Sequence, residues 1–295
     1  MSRREMVATR SFLFTPANHP RRVAKVFHVG ADAVILDLED AVAVAEKEAA
    51  RSDVVAAFRS AEHNCLHYVR INGVDTGLWE QDLRATVGPW LDGIVLPKVE
   101  SADALLAVDS VLATVEAEQG LQSGSLDLLP IIETARGVEA AADIAAAGSR
   151  IRRFAFGGGD YTLDLDYEWS ADEEVLNYAR ARLSHASRLG DLLPPIDTVV
   201  LQINDDERFT QSAARGRKFG FGGKLCIHPS QVPLTHAVFS PSSAEIDHAR
   251  AVVAAFEEAE AKGSASIQLD GYFIDYPIVY KSQRILALAA LLELS

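Results

Sequence analysis

Short apolar runs recur along the chain, and each ends in polar residues able to do chemistry. They are Ser11–Pro16, Ala33–Asp40, His67–Asn72, Gly93–Lys98, Asp127–Glu133, Arg153–Asp160, Ile196–Asn204 and Lys224–His228. Stretches of about 15–35 residues separate them, long enough for a loop and a helix. Helices are expected at Pro20–Val29, Ala45–Ala57, Ser101–Glu118, Arg136–Ala147, Asp172–Leu189 and Asp205–Phe219. Strand and helix alternating eight times predict a (β/α)8 TIM barrel, a fold whose active site lies at the C-terminal ends of the strands. Tyr161–Ala171 reads as a loop over that mouth.

The tail breaks the repeat. Ser243–Lys262 has a periodic apolar face. Ser266–Asp275 alternates and contains Asp270–Gly271, which predicts a short hairpin or arm. Pro277–Leu294 reads as a last helix. This gives a barrel over 1–235 and a C-terminal extension over 236–295 that is no independent domain.

The chain has 295 residues, 48% hydrophobic, enough for one barrel with a full core. A net charge of −14 excludes a basic nucleic-acid footprint. Cys65 and Cys226 offer no zinc or disulfide spacing, so a reducing cytoplasm is expected. Neither a signal peptide nor an apolar stretch of about 18 residues is evident, so no membrane span is expected.

Charged residues gather at the predicted strand ends. Glu133 and Asp160 end neighbouring strands, and paired carboxylates at a barrel mouth suit Mg²⁺, which takes oxygen ligands and keeps waters. Either acid could instead cap the following helix. Gly157–Gly158–Gly159 would allow positive φ and close approach of a ligand, with N–H groups open to an anion. Arg70 suits a carboxylate or enolate oxygen, or an ion pair with Asp37, Glu39 or Asp40. Lys98 could form a Schiff base or simply be ion-paired. His228 could be an acid, base or ligand, or a hydrogen-bonded structural residue; His19 and His63 have weaker claims.

Arg10–Pro16, Asp37–Val42, Arg70–Asn72, Leu96–Lys98, Pro130–Thr134, Phe156–Asp160, Gly223–Pro229 and Phe273–Pro277 occur in that order. The ordered set resembles the citrate lyase β-subunit-like branch of the HpcH/HpaI aldolase family over nearly the whole chain. The resemblance implies a Mg²⁺-dependent barrel, with Mn²⁺ as an alternative ion, that makes or breaks a C–C bond next to a carbonyl. Substrates would be CoA thioesters such as malyl-CoA, citramalyl-CoA or citryl thioesters, with glyoxylate, pyruvate or oxaloacetate as keto acid. It implies Glu133 and Asp160 as metal ligands, Arg70 as the group that steadies the enolate with Asp37 beside it, and Arg10 as a contact to the acyl or CoA part. Lys98, Gly158 and Gly159 join the cofactor-binding side. Asp275 would be the acid/base, reaching a neighbouring subunit's site in a homotrimer or homohexamer. The first motif departs from the usual Phe-Val-Pro-Gly, with Thr15 and Ala17 around Pro16. A β subunit of a multi-protein lyase, or a metal aldolase acting on free 2-keto acids, are the alternatives.

Overall fold

Alternation within each strand builds the barrel. Strands β1 (Ser11–Pro16), β2 (Ala33–Asp37), β3 (Leu66–Arg70), β4 (Gly93–Leu96), β5 (Asp127–Ile132), β6 (Ala155–Phe156), β7 (Ile196–Asp197) and β8 (Gly223–Cys226) form a closed, all-parallel sheet in sequence order. The protein is described by a computed structural model over residues 8–62, 64–148 and 150–294. His63 lies outside the described residues.

Side chains two apart share a face of a strand. Phe12, Ile35, Tyr68, Val95, Leu129, Ile131, Ala155, Ile196 and Leu225 pack together in one buried cluster, the barrel interior. One further step of two along the chain gives the layer above them: Phe14, Asp37, Arg70, Glu133, Gly157, Thr198 and Ile227. All seven line one cavity at the barrel mouth. The remaining strand faces, rich in Val, Ile and Leu, are buried beneath helices, as parallel sheets require.

The helices are α1 (Pro20–Val26), α2 (Lys47–Ser60), α3 (Trp79–Thr86), α4 (Ala102–Glu118), α5 (Ala135–Ala145), α6 (Gly158–Asp164), α7 (Asn177–Leu189), α8 (Asp206–Lys218) and α9 (Gln231–Phe239). Side chains of Ser101, Thr134 and Asp205 accept the N–H three residues on and start α4, α5 and α8. The sequence pattern does not anticipate α3, which has no side-chain cap, or α9.

Two expectations are corrected. Strand seven stops at Asp197 rather than Asn204, and Leu201 and Ile203 are exposed. An apolar run without pairing partners is not a strand. Strand six likewise ends at Phe156, and the segment read as a mouth loop opens with α6, which carries Asp160 in its first turn.

The chain divides into two compact units, with the division after His236. In the second, Ser242 and Glu245 form a reciprocal capping box at the start of α10 (Ser243–Ala261). Strands β9 (Ile267–Leu269) and β10 (Tyr272–Ile274) pair antiparallel around Asp270 and Gly271, which have φ 49° and 83°. Positive φ at both central positions is what a tight two-residue hairpin demands. Ile274 and Val279 of this hairpin and of α11 (Tyr276–Leu291) pack on Val252 and Phe256 of α10.

Candidate active site

The mouth cavity holds about 520 Å³ and is lined on one side by Asp37, Asp40, Arg70, Glu133 and Asp160. Apolar residues, among them Phe14, Val199, Leu201, Leu225 and Ile227, line much of the rest.

Register explains the first ion pair. Asp37 and Arg70 stand opposite each other on β2 and β3. Arg70 Nε and one terminal nitrogen donate to the two Asp37 oxygens at 2.7 and 2.6 Å, a bidentate grip. Its other terminal nitrogen lies 2.8 Å from Glu39. The guanidinium also sits 4.9 Å from the centre of the Phe14 ring. Burial disfavours the Arg70 charge, but Asp37, Glu39 and Glu133 outweigh it, so the group stays a cation held in one orientation. The ion-pair reading of Arg70 therefore holds, with Asp37 and Glu39 as its partners.

Glu133 follows β5 and is 2% exposed. It does not cap α5, because Thr134 does. One oxygen accepts the Lys98 backbone N–H at 2.8 Å. The other lies against Gly157, where a Cβ would come within 2.2 Å of it. Glycine is needed there for space. None of Gly157, Gly158 and Gly159 has positive φ, contrary to expectation. Gly158 N–H is also not open to an anion, since it donates to the Thr198 hydroxyl at 2.8 Å. Gly159 lines the cavity.

Lys98 adopts left-handed backbone with φ 51°, uncommon for a residue with a Cβ and a cost of about 1 kcal/mol or more. That conformation accompanies its N–H bond to Glu133. Its ammonium donates to Glu39 at 2.9 Å and lies 3.7 Å from Asp40. Burial disfavours the charge, but Glu39, Asp40 and Asp160 carry the pKa upward. A lysine held protonated is a poor Schiff-base nucleophile, and the ion-paired reading fits it.

Arg10 is not brought to this cluster. It precedes β1 at the opposite, N-terminal end of the barrel, where it bonds Asp32 through Nε and a terminal nitrogen, both at 3.1 Å. His228 bonds Ser230 through Nδ1 at 2.8 Å and does not line the cavity. His19 is exposed before α1. Asp275 belongs to the other compact unit, as the half-buried residue at the N-terminus of α11. Two polar lining residues are not marked by the sequence pattern. Arg22 of α1 needs the third dimension to reach the mouth. Thr198 lies two past inward-facing Ile196, a signal hidden by the overlong strand seven.

The carboxylates test whether a cation fits. Burial pushes the Glu133 carboxyl well above its ordinary range, and the charges of Asp160 and Glu39 push it further. Glu39 is raised too, first by burial, although Arg70 and Lys98 offset part of it. Excess negative charge in a low-dielectric cleft calls for a cation. Among the described residues no three His, Cys, Asp or Glu side chains form a metal cage. Glu133 and Asp160 both line the cavity and present only oxygen donors, the kind Mg²⁺ takes.

Fold and site together define a (β/α)8 barrel with a carboxylate pair and a fixed guanidinium at its mouth. The chain belongs to the HpcH/HpaI aldolase/citrate lyase family, which matches residues 10–229. It is 37% identical to the citrate lyase subunit beta of Leuconostoc mesenteroides subsp. cremoris, over 95% of this chain and 93% of that protein. It is 31% identical to the L-malyl-CoA/beta-methylmalyl-CoA lyase of Rhodobacter capsulatus, over 92% and 91%. Protein CitE from Mycobacterium tuberculosis, solved in complex with magnesium, acetoacetate and coenzyme A, is similar in structure. Its TM-score is 0.78 at 29% identity, covering 95% of this chain and 98% of that one.

Proposed function

We propose that this chain is a Mg²⁺-dependent carbon–carbon lyase that cleaves or forms a 3-hydroxyacyl-CoA-type thioester. Malyl-CoA, citramalyl-CoA and citryl thioesters are the substrate class, and glyoxylate, pyruvate or oxaloacetate the keto acid. The observation that carries this reading is the buried Glu133 carboxylate, which feels the charges of Asp160 and of an Arg70 already ion-paired to Asp37 and Glu39. Relatives named as a malyl-CoA lyase and a citrate lyase subunit, and a similar structure holding magnesium and coenzyme A, support it.

Glu133 and Asp160 would hold the ion, with Lys98 N–H orienting Glu133. When bound, the ion lowers the energy of negative charge developing on substrate oxygen. Arg70 offers its fixed cation to the thioester oxygen as the C–C bond breaks and charge moves there. Asp37 and Glu39 keep that guanidinium aimed, so no reorganisation is needed during the reaction. Asp275 would take the hydroxyl proton and return one to the thioester carbon. It would do so from a neighbouring subunit in a cytoplasmic homotrimer or homohexamer. Tyr272 and Phe273 beside it are 70% and 68% exposed, which suits a surface used in association.

A second reading, the β subunit of a larger lyase, is favoured by the relatives named as subunits. One experiment separates them. The isolated chain is mixed with Mg²⁺ and pairs of acyl-CoA and keto acid, and products are read by mass spectrometry. Turnover by the chain alone supports the first reading; none with any pair supports the second.

A further inference from the structure

Asp160 differs from Glu133 in how it reaches the mouth. Glu133 continues the inward face of a strand. Asp160 sits in the first turn of α6, a seven-residue helix. Its position depends on where that helix starts. The N-cap residue is Gly157, which has no side chain to satisfy the free N–H groups of the first turn.

Thr198 supplies the missing cap from another strand. It is 0% exposed and follows β7 directly. Its hydroxyl oxygen accepts the Gly158 N–H at 2.8 Å. Contact is close enough that a Cβ on Gly158 would lie 2.9 Å from that oxygen. Thr198 is itself anchored. Its neighbour Asp197 is fully buried and accepts from Arg180 at 2.9 and 3.1 Å and from Lys224 at 3.0 Å. Arg180 and Lys224 also reach Glu173 and Ser212, so the end of β7 is tied to α7, α8 and β8. That cluster lies outside the barrel wall and touches no cavity-lining acid. Thr198, next to Asp197 in the chain, lines the mouth cavity.

We infer that Thr198 is a positioning residue: its hydroxyl fixes the start of α6 and thereby places the Asp160 carboxylate to bind the divalent ion. The inference rests on the reading of Glu133 and Asp160 as metal ligands. Groups behind metal ligands that set their orientation commonly change affinity by about 10–100-fold when removed.

The test measures Mn²⁺ binding alone, by the loss of the free-ion paramagnetic resonance signal, on the whole chain. Thr198→Val keeps shape and removes the acceptor; Thr198→Ser keeps it. The expectation is wild-type affinity for Thr198→Ser and at least about tenfold weaker binding for Thr198→Val. Should Thr198→Val not fold, Thr198→Ala, which adds no bulk, carries the same expectation. Equal affinity in wild type and the hydroxyl-free variant overturns the inference. So does an equal loss in Thr198→Ser. No Mn²⁺ binding by the wild type overturns the metal reading itself, and the inference with it.

Discussion

Replacing Glu133 by Gln should make the metal-free protein no less stable while removing its response to Mg²⁺. The side chain is 2% exposed, and burial, Asp160 and Glu39 all disfavour its charge. Two unit charges about 4 Å apart repel by about 4 kcal/mol at an effective dielectric constant of 20, so a neutral amide relieves a cost of that order at most. The amide oxygen still accepts the Lys98 N–H, so that bond survives. Gln offers no anionic ligand. In the wild type, Mg²⁺ at 100 times its Kd should stabilise the fold by about 2.7 kcal/mol. For a chain this long that is a rise in Tm of roughly 5 °C. Thermal melts by circular dichroism, with and without Mg²⁺, read both quantities. The expected pattern is a Glu133→Gln protein that melts at or above the metal-free wild type and does not shift with Mg²⁺. A metal-free loss above about 1 kcal/mol, or a Mg²⁺ shift equal to the wild type's, would refute the reasoning.

Arg70→Lys should lower kcat by about 10²-fold, because an ammonium cannot reproduce the bidentate fork on Asp37 while facing the cavity. A change in KM with unchanged kcat would mark Arg70 as a uniform binding residue instead. Asp275→Asn should leave Mn²⁺ binding intact and slow turnover by about 10²–10⁴-fold. Mixed with inactive Glu133→Ala chains, it should regain activity if subunits exchange; exchange without recovery sinks the shared site. Asp32 tests the acid limb of stability. Burial raises its pKa, but hydrogen bonds from His236 and Arg10 prevail and hold it at about 2, below its ordinary 3.8. Its folded pKa is depressed, so its contribution is present above about pH 4 and is lost as the pH falls toward 2. The shift corresponds to about 2 kcal/mol. Asp32→Asn should therefore narrow the stability gap between pH 6 and pH 2.5 by about that much in urea titrations. An unchanged gap would contradict it.

The barrel and half of its mouth were legible in the residue order. Asp37, Arg70 and Glu133 each lie two positions past an inward core residue, and the end of an apolar run is a local property. The hairpin at Asp270–Gly271 was legible for the same reason, since its turn needs only those two residues. The run at Ile196–Asn204 misled because apolarity alone does not supply a pairing partner, and it hid Thr198. Lys98 is ambiguous in the sequence, and Glu39 and Asp40 beside its ammonium come from another strand's end.

Sequence by itself therefore determined which residues face inward and in what order the strands occur, because alternation is written into a strand at a spacing of two. It also marked Glu133, Asp160 and Arg70 as the charged groups of interest. Only the tertiary structure decided who meets whom. Closing the barrel set Asp37 against Arg70, packed Gly157 against Glu133, left Arg10 with Asp32 at the far end and brought Thr198 to the start of α6. Those pairings join residues distant in the chain. Their energies depend on burial and on neighbours supplied by other strands, and a linear pattern carries neither.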